Sequence, residues 1–222
     1  MSKVITFQDV IGPSMIGPSS SHTAGACRIG GLARTIYGKE PKDVRLFLHG
    51  SFAKTYRGHG TDRALLGGLL GMETDDPHIA TALSIAEQTG LKYAFLECDL
   101  GPVHPNTVRI EFLEDGVPVC SVTGSSIGGG QVRIVGVDGI ATNFDGHFWT
   151  LIISYPDRPN MIYDVTSLIA EYNLNIATMH VSRVDNVATL IAEVDSPVPA
   201  DCAERISKIS GVRNFCVVPS LF

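Results

Sequence analysis

Apolar positions along the chain change their spacing from segment to segment. Over residues 24–36, AGACRIGGLARTI, small and apolar side chains recur at helical intervals and predict a first helix. Residues 44–49, VRLFLH, form a short apolar run with β-branched and aromatic content, the signature of a buried strand. Leu65, Leu66, Leu69 and Leu70 mark one face of a helix over residues 62–72, with Thr61 or Asp62 as its cap. Asp75-Asp76-Pro77 is a cap followed by a proline, which opens a helix over residues 78–88 that stops at Gly90. Residues 92–97 predict a strand. From residue 107 the alternation is strictly β. Segments 107–114 and 117–122 flank the hairpin pair Asp115-Gly116, and 131–137 before Asp138-Gly139 predicts a further antiparallel strand.

Composition shifts at Phe144-Asp145-Gly146, which divides the chain into domains 1–145 and 146–222. Beyond it the order is strand 147–154, helix 161–172, strand 176–184, turn 185–186, strand 187–194, helix 200–209, strand 212–218. A βαββαβ order with a hairpin between its central strands specifies a four-stranded antiparallel sheet backed by two helices. The expected class is therefore α+β, an α/β N-terminal domain followed by a ferredoxin-like one.

Composition narrows the functional classes. The 222 residues are 44% hydrophobic and 18% charged, as in a soluble globular protein with a buried core. Charges, Gly and Pro interrupt the apolar runs well short of a membrane span, and the N-terminus lacks a signal-peptide pattern, so a cytoplasmic protein is expected. With 17 basic against 23 acidic residues and no basic block, nucleic acid is not an expected partner. The five cysteines, Cys27, Cys98, Cys120, Cys202 and Cys216, are scattered, odd in number and without a C-x-x-C pair. That pattern favours neither disulfides nor metal ligation by this chain, and suits small buried hydrophobes.

Four polar stretches carry the candidate chemistry. In residues 11–30, IGPSMIGPSSSHTAGACRIG, the turns Gly12-Pro13 and Gly17-Pro18 lead into Ser19, Ser20, Ser21, His22 and Thr23 at a helix start. Free N–H groups, the positive end of the helix dipole and three hydroxyls there suit a small anion such as a carboxylate. In GSFAKTYRGHGTD, residues 50–62, glycines on both sides of His59 leave its ring approachable, either as an acid or base or as an exposed turn residue. In GPVHPN, residues 101–106, prolines hold His104 and Asn106 with little backbone freedom, which serves a ligand or a rigid turn equally. GSSIGGG, residues 124–130, lacks the Lys-Ser/Thr and helix of a phosphate loop. As a bend its Gly128 and Gly129 would offer N–H groups to a carboxylate, and as a connector it would simply join strands. No G-x-G-x-x-G follows a strand, so a dinucleotide site is not expected.

GPSSSHTAG, GHGTD, HPNT and SIGGG, in this order, resemble the β chain of the two-chain, iron–sulfur-dependent bacterial L-serine dehydratases, and the resemblance covers essentially the whole chain. The N-terminal part also resembles the allosteric substrate-binding domain of some phosphoglycerate dehydrogenases. The C-terminal part resembles an ACT domain through YPDRPNM at 155–161 and LNI at 174–176, with Asn160 where a glycine is usual. Asparagine tolerates the same left-handed backbone conformation.

The resemblance implies a lyase subunit that works with an α chain, whose cysteines hold a [4Fe–4S] cluster with an iron open as Lewis acid to the hydroxyl of L-serine. It implies that Ser19, Ser20, Ser21 and Thr23 hold the substrate, that His59 is the acid or base with His22 as second choice, and that His104, Asn106, Gly128 and Gly129 bind serine at this or an allosteric site. It also implies a homodimer of β chains paired through the ACT domain. The alternative is a non-catalytic amino-acid sensor. With the α chain missing, the Ser19 to Thr23 cluster is expected to be exposed.

Overall fold

The structure, a computed structural model, describes residues 13–222, so Ile11 and Gly12 of the opening stretch lie outside the described residues. The chain divides into two compact units, the first ending at Gly139 and the second spanning Ile140–Phe222.

In the first unit a single π-helical turn, Ser20–Ala24, runs directly into helix α1, Gly25–Tyr37, which ends at Gly38 in the left-handed conformation, φ 74°. Strand β1, Asp43–Leu48, follows, and then two helices, α2, Gly50–Thr55, and α3, Thr61–Leu69. A 3₁₀ turn at Pro77–Thr81 precedes α4, Ala82–Thr89. The remaining strands are β2, Lys92–Glu97, β3, Thr107–Glu114, β4, Val117–Gly128, and β5, Gln131–Val137.

The strands of this unit lie in the order β2-β1-β3-β4-β5, with β1 and β2 parallel and the other neighbours antiparallel. Because side chains alternate across a strand, this register gathers Val44, Leu46, Leu48, Val108, Ile110, Phe112, Val122, Val132 and Ile134 into the buried core.

Residues 50–55 and the Gly-rich segment differ from the sequence expectation. Residues 50–55, expected to be part of a polar stretch, form α2, because the run from Ser51 to Thr55 has Phe52 to bury and no helix breaker. The Gly-rich segment does not form an open bend. Strand β4 continues through Gly124-Ser125-Ser126-Ile127-Gly128, and Gly129 and Gly130, at φ 58° and 75°, make the two-residue turn into β5. Positive φ at both turn positions matches the twist of the flanking strands, which glycine supplies without steric cost.

Helices α1 and α3 meet backbone to backbone. A Cβ on Gly68 would lie 2.0 Å from the Cys27 carbonyl oxygen, and one on Gly30 would lie 2.4 Å from that of Leu65. Thr23 reaches His59, Gly30 meets Leu65 and Leu69, and the Arg34 guanidinium donates to the Leu69 carbonyl at 3.0 Å. The segments that lead into the two helices thus lie together, as the rings of His22 and His59 also show, and Arg34 satisfies a carbonyl at the C-terminal end of α3.

The second unit opens with β6, Ile140–Phe144, and continues as β7, Trp149–Pro156, α5, Met161–Glu171, β8, Ile176–Val184, β9, Val187–Val194, α6, Ala200–Ser207, and β10, Asn214–Val218. From β7 onward this is the expected βαββαβ order, in an antiparallel sheet β10-β7-β9-β8. Leu151, Ile153 and Tyr155 of β7 and Leu190 and Ala192 of β9 share one core with Val165 and Ile169 of α5 and Cys202 and Ile206 of α6. Asn160 adopts φ 68° before α5, the left-handed conformation expected of it in place of glycine.

Replacing Gly68 by Ala forces α1 and α3 apart, and a stability loss of at least about 1–3 kcal/mol is expected. At Gly31 the nearest atom to an added Cβ is 3.9 Å away, so Gly31→Ala is tolerated. Urea unfolding of the two variants checks this. Equal midpoints would show that the close approach is not required.

Candidate functional site

The common N-terminal end of α1 and α3 assembles the site. Ser19 caps the π-turn, its Oγ accepting the His22 backbone N–H at 3.2 Å, and the turn closes with the Gly25 N–H bonded to the Ser20 carbonyl. Five-residue spacing of this kind, rare in helices, recurs at functional sites. The turn packs tightly against strand β4, where a Cβ on Gly25 would lie 2.1 Å from Ser126 Oγ. The cluster expected to be exposed is therefore folded down. Thr23 is 2% exposed, Ser19 to His22 are half-buried, and the Thr23 hydroxyl donates to the His59 carbonyl at 3.5 Å. That contact occupies Thr23 in tying the turn to the loop before α3.

His59 sits on that loop. Its N–H donates to the Thr55 carbonyl at 3.0 Å and the Thr61 N–H to that of Tyr56 at 2.8 Å, while Gly60, at φ 71°, reverses the chain into α3. Gly60, rather than Thr61 or Asp62, is the cap. His59 is exposed, and its ring centroid lies 4.9 Å from that of His22. The His22 ring also meets the buried Phe52 edge-on at 5.4 Å. Its Nε2 is 3.1 Å from Ser51 Oγ and its Nδ1 is 3.4 Å from Ser19 Oγ. Burial, and secondarily the neighbouring His59, hold the His22 pKa below the ordinary histidine value.

The loop containing His104 and Asn106 joins this end through its backbone. The Ser51 N–H donates to the Pro105 carbonyl at 2.8 Å and the Ser126 N–H to the Asn106 carbonyl at 2.9 Å. Gly50 permits the first contact, since a Cβ there would lie 2.7 Å from Pro105 O. The Thr107 hydroxyl lies 2.6 Å from the His104 carbonyl and 2.7 Å from Ser125 Oγ. His104 is exposed, and its Nδ1 accepts the Asn106 N–H at 3.1 Å, a bond that stiffens its own loop. Gly128 ends β4 and Gly129 begins the turn, and the Gly130 carbonyl accepts from Arg28 at 2.7 Å. Two wholly buried hydroxyls at this end, Thr61 Oγ1 and Ser126 Oγ, have no hydrogen-bond partner among the described residues.

Residues 11–94 match the model of the serine dehydratase beta chain family. The chain is 44% identical over 210 residues to the L-serine dehydratase beta chain of Peptoniphilus asaccharolyticus, covering 93% of both proteins. To the probable L-serine dehydratase beta chain of Bacillus subtilis it is 41% identical over 206 residues, covering 92% of this chain and 93% of that one. The chain belongs to the L-serine dehydratase beta chain family. It also shares 32% identity over 96 residues with a D-3-phosphoglycerate dehydrogenase from Synechocystis, covering 42% of this chain and 17% of that enzyme.

For a member of this family the sequence motifs gain a physical connection. Ser19, His22, Thr23 and His59 come together directly, and His104, Asn106 and the Gly-rich hairpin reach them through backbone hydrogen bonds and packing. Ser51, Thr61, Ser125 and Ser126 were not singled out from sequence. The signal for Ser51 was its place directly after a strand and a glycine, where a helix start was not recognised.

The cysteines of this chain do not fit an iron–sulfur cluster. Among the described residues no three His, Cys, Asp or Glu side chains are placed to hold a metal ion. The Cys27 thiol is buried and donates to the Met72 carbonyl at 3.3 Å, and burial above all pushes its pKa up to about 12. Burial likewise raises Cys216 to about 11, and Cys202 is buried in the second unit. Among the described residues no helix is long and apolar enough to cross a membrane.

A lowered His22 pKa makes stability pH-dependent. The unfolded chain titrates this histidine near 6.5, and the folded chain takes the proton only at lower pH, so between the two values the unfolded state binds more protons. The contribution is complete above about 6.5 and is lost as pH falls through the folded value. His22→Gln is expected to flatten the fall in urea midpoint below that pH, and an unchanged profile would contradict the assignment.

Proposed function

We propose that this chain is the β subunit of an enzyme that converts L-serine to pyruvate and ammonia, working with an α chain that carries a [4Fe–4S] cluster. The observation that carries the assignment of roles is the meeting of the His59 and His22 rings, 4.9 Å apart, where the N-terminal ends of α1 and α3 converge. Two helix dipoles present their positive ends there, and no carboxylate of the chain forms an ion pair with either histidine among the described residues. An amino acid presents a carboxylate of the complementary charge. Ser20 and Ser21, at the first positions of the helical turn, hold that carboxylate with their hydroxyls and leading N–H groups. Ser19 and Thr23 keep the turn folded around it.

His59 is the acid or base. Its glycine neighbours, Gly58 and Gly60, leave the ring open, and an imidazole can both accept and donate a proton. It takes the α-proton of serine and returns it to the departing hydroxyl as the bond from Cβ to oxygen breaks, so that water leaves, the histidine is regenerated and aminoacrylate remains. That product takes a proton at carbon to become an imine, which water hydrolyses to pyruvate and ammonia. The cluster belongs to the α chain, consistent with the unsuitable thiols of this one. The βαββαβ unit, whose sheet ends in edge strands β10 and β8, pairs β chains with one another.

Serine turnover is expected only from the iron-loaded mixture of both chains, and His59→Ala is expected to lower kcat by about 10²- to 10⁴-fold while the two chains still co-elute. Turnover by this chain alone, free of metal, would sink the proposal, and serine binding without turnover in the loaded mixture would favour an amino-acid sensor. Iron content gives a separate check. Cys27→Ala, Cys98→Ala, Cys120→Ala and Cys216→Ala chains should each assemble with the same iron per complex as the wild type. A loss of iron in any folded variant would place a ligand on this chain.

A further inference from the structure

Both ring nitrogens of His22 face a serine hydroxyl, which separates its role from that of His59. A neutral imidazole offers one N–H donor and one acceptor. Ser19 Oγ accepts the His22 backbone N–H at 3.2 Å, and the tautomer in which its own proton is directed at Nδ1, 3.4 Å away, satisfies both atoms. That leaves Nε2 carrying the proton and donating it to Ser51 Oγ at 3.1 Å. Ser51 is itself fixed, because its N–H is bonded to the Pro105 carbonyl at 2.8 Å and its carbonyl accepts the Thr55 hydroxyl at 2.8 Å. Phe52, wholly buried, closes another side of the ring. His22 is thereby committed to its neighbours, while the exposed His59 ring rests beside it.

We infer that Ser51 is a positioning residue of this site: its hydroxyl fixes the orientation and tautomer of His22, and the fixed His22 ring is the wall against which His59 is set for proton transfer. The inference rests on the proposed reaction for its catalytic consequence, but not for its structural content. It also gives the Pro105 carbonyl a function. The strand-to-helix turn at Gly50-Ser51 is pinned to that carbonyl, so the loop holding His104 and Asn106 sets where Ser51 stands and hence where His22 points.

Two measurements test it, using Ser51→Ala and the hydroxyl-retaining Ser51→Thr. In the full-length chain, ¹⁵N NMR of the imidazoles is expected to show His22 protonated at Nε2 in the wild type and in Ser51→Thr. In Ser51→Ala the two nitrogen signals are expected to move toward each other as the tautomers average. In the iron-loaded two-chain enzyme, kcat for serine is expected to fall about 10- to 100-fold in Ser51→Ala, with KM within about twofold, and to recover in Ser51→Thr. Unchanged His22 signals in Ser51→Ala would overturn the positioning role. So would a rise in KM at constant kcat, or a Ser51→Thr enzyme as slow as Ser51→Ala with an undiminished urea midpoint. Absence of serine turnover in the wild-type mixture would strike the proposed reaction instead, and the NMR comparison would still decide what Ser51 does to His22.

Discussion

Everything at the candidate site depends on the contact between α1 and α3 through glycine. Helices separated by ordinary side chains lie about 8–10 Å apart. Here Gly30 and Gly68 remove the side chains at the crossing, and backbone meets backbone. The segments that lead into the two helices also meet, with the turn that holds His22 against the loop that holds His59. A third glycine, Gly25, extends the same device to the sheet by letting the first turn lie on Ser126. Thus Gly25, Gly30 and Gly68 serve packing, and their packing determines which polar groups can meet.

Close packing also sets the electrostatics. Tight approach of the turn, Phe52 and the His59 loop removes water from His22, and a desolvated imidazole beside a second imidazole favours its neutral form. His59 lies on the open side of the pair and keeps its hydration. Two chemically identical side chains thus acquire different properties from placement alone. The inner one is held neutral with both nitrogens directed at serines, and the outer one stays available to a ligand. Burial costs the inner histidine its ease of protonation, and the two serine hydroxyls offset part of that cost through hydrogen bonds.

The second unit was almost fully legible in the sequence, because its strands alternate, its turns carry Asp185-Asn186 and its helices are amphipathic. Each local signal agrees with the fold, down to Asn160 taking the left-handed conformation. In the first unit the helices and strands with clear periodicity were also readable. What escaped was the behaviour of polar and glycine-rich stretches. GSFAKT is too short and too polar to announce α2, and GSSIGG points to a bend or a connector because glycine usually interrupts strands. The reason Gly124 sits inside β4 is tertiary: a Cβ there would lie 2.7 Å from Ile29 of α1. No local pattern reports a partner that is nearly a hundred residues away in the chain, and for the same reason the pairing of His22 with Ser51 could not be read from spacing.

The structure also explains why four separated motifs form one unit of function. The Gly-rich strand meets the first turn through Ser126 and Gly25, and the same Ser126 N–H holds the Asn106 carbonyl. The neighbouring Pro105 carbonyl holds Ser51, whose side chain meets His22. These links close a circuit of short contacts, most of them through backbone atoms or glycine. Backbone groups have little freedom to rearrange once secondary structure is formed, so such a circuit transmits position more faithfully than one built from long side chains. The HPN loop is thus joined to the histidine pair through the Pro105 and Asn106 carbonyls.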